Sequence, residues 1–215
     1  MERQELLNLL RENKADFTLL VQKEPDILKS LIEIESTEPS AVKFAAEKAV
    51  RSISESNPEF FEGMEAEIFS LLKNENTFIR LGNIITCANL AVLSSDKTLE
   101  LLKKEYIPFL YSTNLAEFGN AVKGIPKIIS VFPSLEEKLI PPLFEINERV
   151  FVHKGKPSDE CRNVAAGKVI EVFAKICKDS PYQQDMLNFA ENNLTNTRNS
   201  TKRKAEKLVK KLKDR

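Results

Sequence analysis

The chain of 215 residues is poor in several residue types, and each scarcity narrows the classes of protein it can belong to. It contains six glycines, one histidine and no tryptophan. The single histidine, His153, excludes metal centres built from several histidines. The three cysteines, Cys87, Cys161 and Cys177, form no C-x-x-C pair, so neither a disulfide framework nor a zinc site is indicated. We therefore expect reduced cysteines, with Cys87 and Cys177 filling the core, and no bound metal.

Long apolar runs are also missing. No run reaches the roughly 18 residues that a membrane span needs. The first residues lack the basic and then apolar order of a signal peptide. Apolar residues nevertheless make up 42% of the chain, which is enough to form a sizeable core. The expectation is a soluble, cytoplasmic protein with no membrane span.

The formal net charge is zero, but the charges are unevenly distributed along the chain. Residues 1–100 hold 11 basic and 18 acidic side chains, and residues 101–197 hold 12 of each. The last segment, residues 198–215, holds 9 basic and 2 acidic side chains. Fields of opposite sign at separated places can steer different partners to the same molecule.

Helical periodicity dominates the sequence. Apolar residues recur at spacings of three and four, and no segment of four or more residues shows strand alternation. Short breaks, each combining a capping residue with proline or a polar cluster, separate the apolar segments. This spacing predicts about eleven or twelve helices of three to five turns each.

A pair of small residues recurs along the chain at a constant interval. The pairs occupy residues 45–46 (Ala-Ala), 82–83 (Gly-Asn) and 119–120 (Gly-Asn), spaced by 37 residues. A period of this length is typical of stacked helical repeats. Glycine within a helix costs about 1 kcal/mol relative to alanine. We therefore expect Gly82 and Gly119 to admit the close approach of a neighbouring helix backbone.

Two further patterns resemble the HEAT and armadillo repeat family. Residues 107–110 (IPFL) and 140–143 (IPPL) are similar to the proline-bearing first helix of such repeats. Residues 40–43 (SAVK), 77–80 (TFIR) and 159–162 (DECR) are similar to the opening of the second helix, although Glu117 replaces the basic residue in one copy.

That resemblance implies an all-α fold, a right-handed α-solenoid of about five helical hairpins. It would form a single domain over residues 1–215. Residues 1–22 would cap its N-terminal end, and residues 196–215 would form a basic C-terminal capping helix.

Catalytic motifs are absent from the sequence. No phosphate-binding glycine loop or hydrolase nucleophile motif occurs. The one available nucleophile and base pair is Cys161 with His153, and no third group to orient them is evident. We therefore expect no enzymatic activity and no cofactor. An alkylpurine DNA glycosylase of HEAT-like fold is the less favoured alternative, because the stacking platform of that type uses tryptophans.

The resemblance implies that the second helices line a groove, and the groove's mixed charge and amides suit recognition of a protein or peptide. The groove candidates are Lys43, Glu47, Arg51, Arg80, Asn83, Asn120, Lys123, Lys127, Arg162 and Asn163. Asn83 and Asn120 share one repeat phase, so the two amides could form a ladder to the backbone of a partner.

A basic patch on the last predicted helix is the second candidate site. Its residues are Arg198, Lys202, Arg203, Lys204, Lys207, Lys210 and Lys211. One interpretation is a solvated capping helix whose lysines favour the negative end of the helix dipole. Others are a surface for nucleic acid or an acidic protein, a membrane surface, or a calmodulin-like partner. No aromatic residue alternates with the basic ones, which disfavours stacking on single strands.

Overall fold

The computed structural model describes residues 1–214, whose contacts group into two compact units. The first unit comprises Met1–Tyr106, and the second begins at Ile107. Arg215, the last residue of the predicted basic cap, lies outside the described residues. Within residues 1–214 no helix has both the length and the apolar character needed to cross a membrane.

The first unit is built from seven α-helices joined by short turns. They are α1 (Arg3–Glu12), α2 (Phe17–Lys23), α3 (Asp26–Thr37), α4 (Val42–Ser56), α5 (Glu65–Ser70), α6 (Thr77–Asn89) and α7 (Asp96–Leu101). Helix α4 lies at the centre and packs against α1, α2, α3 and α6. Leu31 from α3, Ile53 from α4 and Ile79 from α6 are fully buried in the core of this unit.

The second unit contains six α-helices and one small β-hairpin. They are α8 (Leu115–Val131), α9 (Glu136–Leu139), α10 (Pro141–Phe144), α11 (Asp159–Ile176), α12 (Gln183–Asn192) and α13 (Asn199–Lys213), with strands β1 (Val152–His153) and β2 (Lys156–Pro157). Helix α11 packs against α8 on one side and α13 on the other. Phe144, Phe173 and Phe189 form an aromatic cluster in this core, with ring centroids 5.3 to 6.4 Å apart.

The β-hairpin departs from the expectation of a chain without strands. Strands β1 and β2 pair antiparallel, with Val152 opposite Pro157. The turn between them consists of Lys154 and Gly155, both with positive φ (50° and 76°), which is the backbone conformation that tight hairpins favour. Strands of two residues are too short to produce an alternating pattern, so periodicity could not reveal them.

Five long helices form the regular part of the fold, and their positions match the predicted second helices of the repeats. We call α4, α6, α8, α11 and α13 the second helices; they contain 13 to 18 residues each. The openings predicted at residues 40, 77 and 159 lie within two residues of the first residues of α4, α6 and α11.

Three of the first helices are broken into short pieces, whereas α3 and α12 are continuous helices of 12 and 10 residues. The described chain contains thirteen α-helices. Helix α5 is flanked by 3₁₀ turns at Pro58–Phe61 and Leu71–Lys73, and α7 runs into a π-helical segment at Leu102–Tyr106. Helices α9 and α10 have only four residues each. Prolines begin several of these pieces, because proline has no N–H to continue the hydrogen bonds of a preceding helix.

Two of the three cysteines fill the core as expected. Cys87 and Cys177 are both fully buried, and Cys161 is half-buried. Burial also raises the pKa of the Cys87 thiol well above its usual value, and the nearby Glu35 carboxylate adds to the shift. Cys87 is therefore protonated and acts as a small apolar side chain.

Candidate binding surface on the second helices

Polar caps fix where three of the second helices begin. The side chain of Asn76 accepts hydrogen bonds from the backbone N–H groups of Phe78 and Ile79. Asn114 caps α8 in the same way, and Ser158 caps α11 through the N–H of Cys161. Because these caps satisfy N–H groups that would otherwise lack partners, the first turn of each helix is well defined.

Three glycines of the second helices receive side chains from the neighbouring second helix. A Cβ atom at Gly82 would lie 1.8 Å from Oε1 of Glu47, and one at Gly119 would lie 2.8 Å from Cε of Lys168. Gly167 repeats the arrangement, with Oγ1 of Thr201 at 2.7 Å. The sequence predicted the approach of a helix backbone here, but in each case the nearest atoms belong to a side chain.

In the first unit, the predicted groove residues differ in how they are placed. Glu47 pairs with Arg51, with 2.6 Å between Oε1 and Nε, and the carboxylate lies against Gly82. Nη1 of Arg80 donates to the carbonyl of Asn74 at 2.7 Å. Lys43 lies over the ring of Phe44, with its ammonium 5.6 Å from the centroid.

Asn83 is not at the surface, contrary to its predicted exposure. Its side chain is fully buried and donates from Nδ2 to a carboxylate oxygen of Glu35 and to the carbonyl of Ile79. A buried amide that already donates both hydrogens cannot contact a partner's backbone. The prediction that Asn83 and Asn120 form a ladder to the backbone of a partner is therefore wrong. Asn83 instead belongs to the core of the first unit.

Several predicted groove residues of the second unit are engaged in contacts between their own elements. Arg162 pairs with Asp159 at 2.7 Å. Asn163 donates to Thr197 at 2.9 Å and accepts from Asn196 at 3.2 Å, which ties the start of α11 to the segment before α13.

Along α8 the remaining predicted groove residues have unequal exposure. Lys123 is exposed to solvent, whereas Asn120 and Lys127 are half-buried. Lys123 is thus the predicted side chain of α8 that is most accessible to a partner.

An exposed aromatic pair on α4 and α6 was missed at the sequence level. Phe78 is 70% exposed and Phe44 is 37% exposed, although phenylalanine is usually buried. The two rings meet edge to face with centroids 5.9 Å apart. Both residues lie in the first turn of a second helix and outside its apolar stripe, since the buried positions begin at Ala46 and Ile79. Their position outside the apolar stripe was the sequence signal that could have indicated their exposure.

The basic patch divides into paired and unpaired side chains. Arg198 pairs with Glu160, Lys204 with Glu171 at 2.7 Å, and Lys211 donates to the carbonyl of Ala174 at 2.5 Å. The others are exposed and have no acidic partner in the part of the chain that the structure describes. They are Lys202, Arg203, Lys207 and Lys210.

His153 and Cys161, the one possible nucleophile and base pair, both line an open cleft of about 480 Å³ in the second unit. The cleft also contains Lys154 and Lys168. Between residues 1 and 214, no hydrogen bond joins His153 to Cys161, and no three His, Cys, Asp or Glu side chains are grouped so as to hold a metal. The cleft therefore lacks the connected hydrogen bonds that activate a thiol.

Comparison with solved structures establishes the fold. A designed armadillo repeat protein in complex with the peptide (KR)4 is similar over 98% of this chain and 94% of its own, with a TM-score of 0.64 and 18% identity. A second designed armadillo repeat protein covers the same shares at a TM-score of 0.60 and 19% identity.

A third similar structure is a computationally designed armadillo repeat protein for modular peptide recognition. It has a TM-score of 0.60 and 17% identity, and the match covers 97% of this chain and 94% of that one. No protein-family model matches the chain, and no curated protein matches its sequence. The chain has an all-α armadillo/HEAT-like repeat fold, which confirms the fold class that the resemblance to HEAT and armadillo repeats implied.

Proposed function

We propose that the chain is a non-enzymatic scaffold that binds a protein or peptide on the surface of its second helices. The observation that carries the proposal is the exposed pair of Phe44 and Phe78 on adjacent second helices. Two large apolar rings held together at the surface are expected where a partner covers them. Aromatic side chains are also over-represented among the residues that dominate binding energy.

The surroundings of the pair suit a peptide. Covering the exposed part of Phe78 would contribute about 2 kcal/mol, so the pair can anchor one apolar side chain of a ligand. Lys43 lies beside the Phe44 ring and can bind a carboxylate or a backbone carbonyl next to that anchor. The ion pair of Glu47 with Arg51 lies further along α4 and offers both a donor and an acceptor.

The similar structures support the same function. One of them was solved with a bound peptide, and another was designed for modular peptide recognition. In the first unit, the predicted groove residues that flank the aromatic pair are Lys43, Glu47, Arg51 and Arg80. In the second unit, a separate candidate surface for a protein or peptide consists of Asn120, Lys123, Lys127, Arg162 and Asn163.

Selection from a displayed library of random peptides on the immobilised full-length chain tests the proposal. Selected peptides should bind the wild-type chain and bind the Phe44→Ala, Phe78→Ala double variant at least about tenfold more weakly, because the apolar anchor is lost. Isothermal titration measures both affinities.

A matched control removes exposed apolar side chains elsewhere in the same unit. Leu19 and Val92 are 52% and 42% exposed, and neither lies on a second helix. The Leu19→Ala, Val92→Ala variant should retain the affinity of the wild type. Equal affinities for all three proteins, or a failure to select any peptide, would contradict the proposal.

A further inference from the structure

A second candidate site lies in the second unit, where α11 and α13 pack along each other. The two helices border an open groove of about 400 Å³. Its floor is apolar: Ala174 from α11 is half-buried, and Ile170 and Leu208 lie beneath it at 1% exposure each. Neither Phe44 nor Phe78 takes part, so this groove is distinct from the surface proposed above.

Four lysines surround this apolar floor. They are Lys175, Lys204, Lys207 and Lys211. Glu171 is the acidic side chain among the lining residues, and it pairs with Lys204 at 2.7 Å. Lys175 and Lys207 are exposed and have no carboxylate partner anywhere in residues 1–214. The groove thus combines an apolar floor with a strongly positive rim.

We propose that this groove binds an acidic amphipathic peptide helix. Its apolar face would pack on Ala174 and on the methylene chains of the surrounding lysines, and its carboxylates would pair with Lys175 and Lys207. Helices with one apolar face commonly bind in grooves of this kind. Charge complementarity selects an acidic ligand, because the rim carries four positive charges against one negative charge.

The same features disfavour nucleic acid as the ligand. No lining residue of the groove is aromatic, so bases have no surface on which to stack. A phosphate backbone would approach the carboxylate of Glu171 and would leave the apolar floor uncovered. An acidic peptide with leucines on one face makes use of both the floor and the rim.

The test uses the full-length chain and a fluorescein-labelled peptide of sequence LEELLEELLEELLE. Fluorescence anisotropy should show saturable binding to the wild type at concentrations below about 100 µM, an affinity of about 5 kcal/mol or better. The Lys175→Glu, Lys207→Glu variant should bind at least about tenfold more weakly, because two rim contacts become repulsive.

The control variant carries the same change of charge outside the groove. Lys202 and Lys210 are exposed on α13 and do not line the groove. The Lys202→Glu, Lys210→Glu variant should bind the peptide within about threefold of the wild type, since only long-range attraction is lost. Equal losses in the two double variants would overturn the proposal, because they would show a diffuse charge effect.

Two further measurements test the floor and the nature of the ligand. Ala174→Leu fills the groove without a change of charge and should weaken peptide binding, with unchanged circular dichroism showing that the chain still folds. A peptide with glutamine in place of every leucine should not bind. Binding of that peptide would refute an apolar anchor. Tighter binding of a labelled DNA duplex than of the acidic peptide, with a steep dependence on salt, would refute the proposal and indicate a surface for phosphate groups instead.

Discussion

Asn83 on α6 donates a hydrogen bond to the carboxylate of Glu35 on α3 inside the core of the first unit. Both side chains are buried, at 0% and 1% exposure. Two side-chain oxygens of the pair, Oε2 of Glu35 and Oδ1 of Asn83, have no hydrogen-bond partner among the described residues. A buried oxygen that accepts no hydrogen bond destabilises the folded state. The hydrogen bonds of this pair are satisfied only if one more proton is present.

That proton belongs on Glu35. A protonated carboxyl group can donate from Oε2 to Oδ1 of Asn83 while Oε1 accepts from Nδ2, which closes a ring of two hydrogen bonds. Burial raises the pKa of Glu35 to about 8; the hydrogen bond from Asn83 acts in the opposite direction. The carboxylate of Glu47 raises the pKa further, and the guanidinium of Arg51 lowers it. Glu35 is therefore mostly neutral at pH 7.

The first prediction is that stability falls as pH rises. The pKa of Glu35 is about 8 in the folded chain and 4.5 when the group is unperturbed, so between these values the folded state binds more protons than the unfolded state. The free energy of unfolding should decrease across this window, by roughly 3 kcal/mol between pH 4.5 and pH 7 if no other group contributes. Urea denaturation at several pH values measures it.

Glu35→Gln isolates the contribution of this residue. The amide of glutamine can donate to Oδ1 of Asn83 without carrying a charge, so the variant should be more stable than the wild type at pH 8, by up to roughly 4 kcal/mol if the amide replaces the neutral carboxyl group without other loss. Its stability should also depend less on pH. Glu33→Gln is the control on the same helix, where the carboxylate is exposed and pairs with Arg3. A pH profile that is the same in the Glu35→Gln variant and the wild type would refute the assignment.

The second prediction concerns the glycines of the second helices. Gly167→Ala should destabilise the chain by about 1 to 2 kcal/mol, because the new methyl group displaces the buried Thr201 hydroxyl from its 2.8 Å hydrogen bond to the Asn163 carbonyl. Gly119→Ala meets only the flexible end of Lys168, which can move into solvent. That variant should be neutral or up to about 1 kcal/mol more stable, because alanine favours the helix.

A double-mutant cycle checks the proposed cause. In a Thr201→Ala background the space beside Gly167 is open, so Gly167→Ala should no longer destabilise. Urea denaturation of the four proteins gives the coupling energy. A penalty for Gly167→Ala that persists in the Thr201→Ala background would show that the cost arises from the helix α11 itself.

The third prediction separates binding from folding at the aromatic pair. Phe78→Ala should change the free energy of unfolding by less than about 1 kcal/mol, since most of the ring is exposed. Phe118→Ala is the comparison, because Phe118 is fully buried and packs edge to face with Phe151 at 5.3 Å. It should cost about 3 to 5 kcal/mol. Thermal unfolding of the two variants measures the difference, and a large loss for Phe78→Ala would mean that this ring stabilises the fold.

Features of the fold that depend on local chemistry were predictable from the sequence. Asn76, Asn114 and Ser158 are polar residues immediately before apolar periodic segments, and the second helices begin next to them. The broken first helices were less predictable. Whether the chain after Leu101 continues as an α-helix or a π-helix depends on packing, which periodicity does not report.

The candidate site was less predictable because burial is a tertiary property. Asparagine is usually found at the surface, yet Asn83 is buried. Phenylalanine is usually found in the core, yet Phe78 is exposed. Helix α6 buries several positions around its circumference, including Gly82, Asn83 and Thr86, so a single apolar stripe did not define its exposed face. The lysine rim of the α11 and α13 groove likewise combines residues about 30 positions apart in the chain, such as Lys175 and Lys207.

The last prediction distinguishes two basic residues, Arg80 from the proposed surface of the first unit and Lys123 from that of the second. Lys123 is exposed, so Lys123→Glu should leave the melting temperature unchanged and weaken the binding of selected acidic peptides by about threefold or more. Arg80 differs, because its guanidinium donates to the carbonyl of Asn74 in the turn before α6. Arg80→Glu should therefore also lower the stability, by about 1 kcal/mol. Calorimetry and peptide titration on the same samples separate the two effects. If Lys123→Glu binds every selected peptide as tightly as the wild type does, Lys123 is not part of the binding surface.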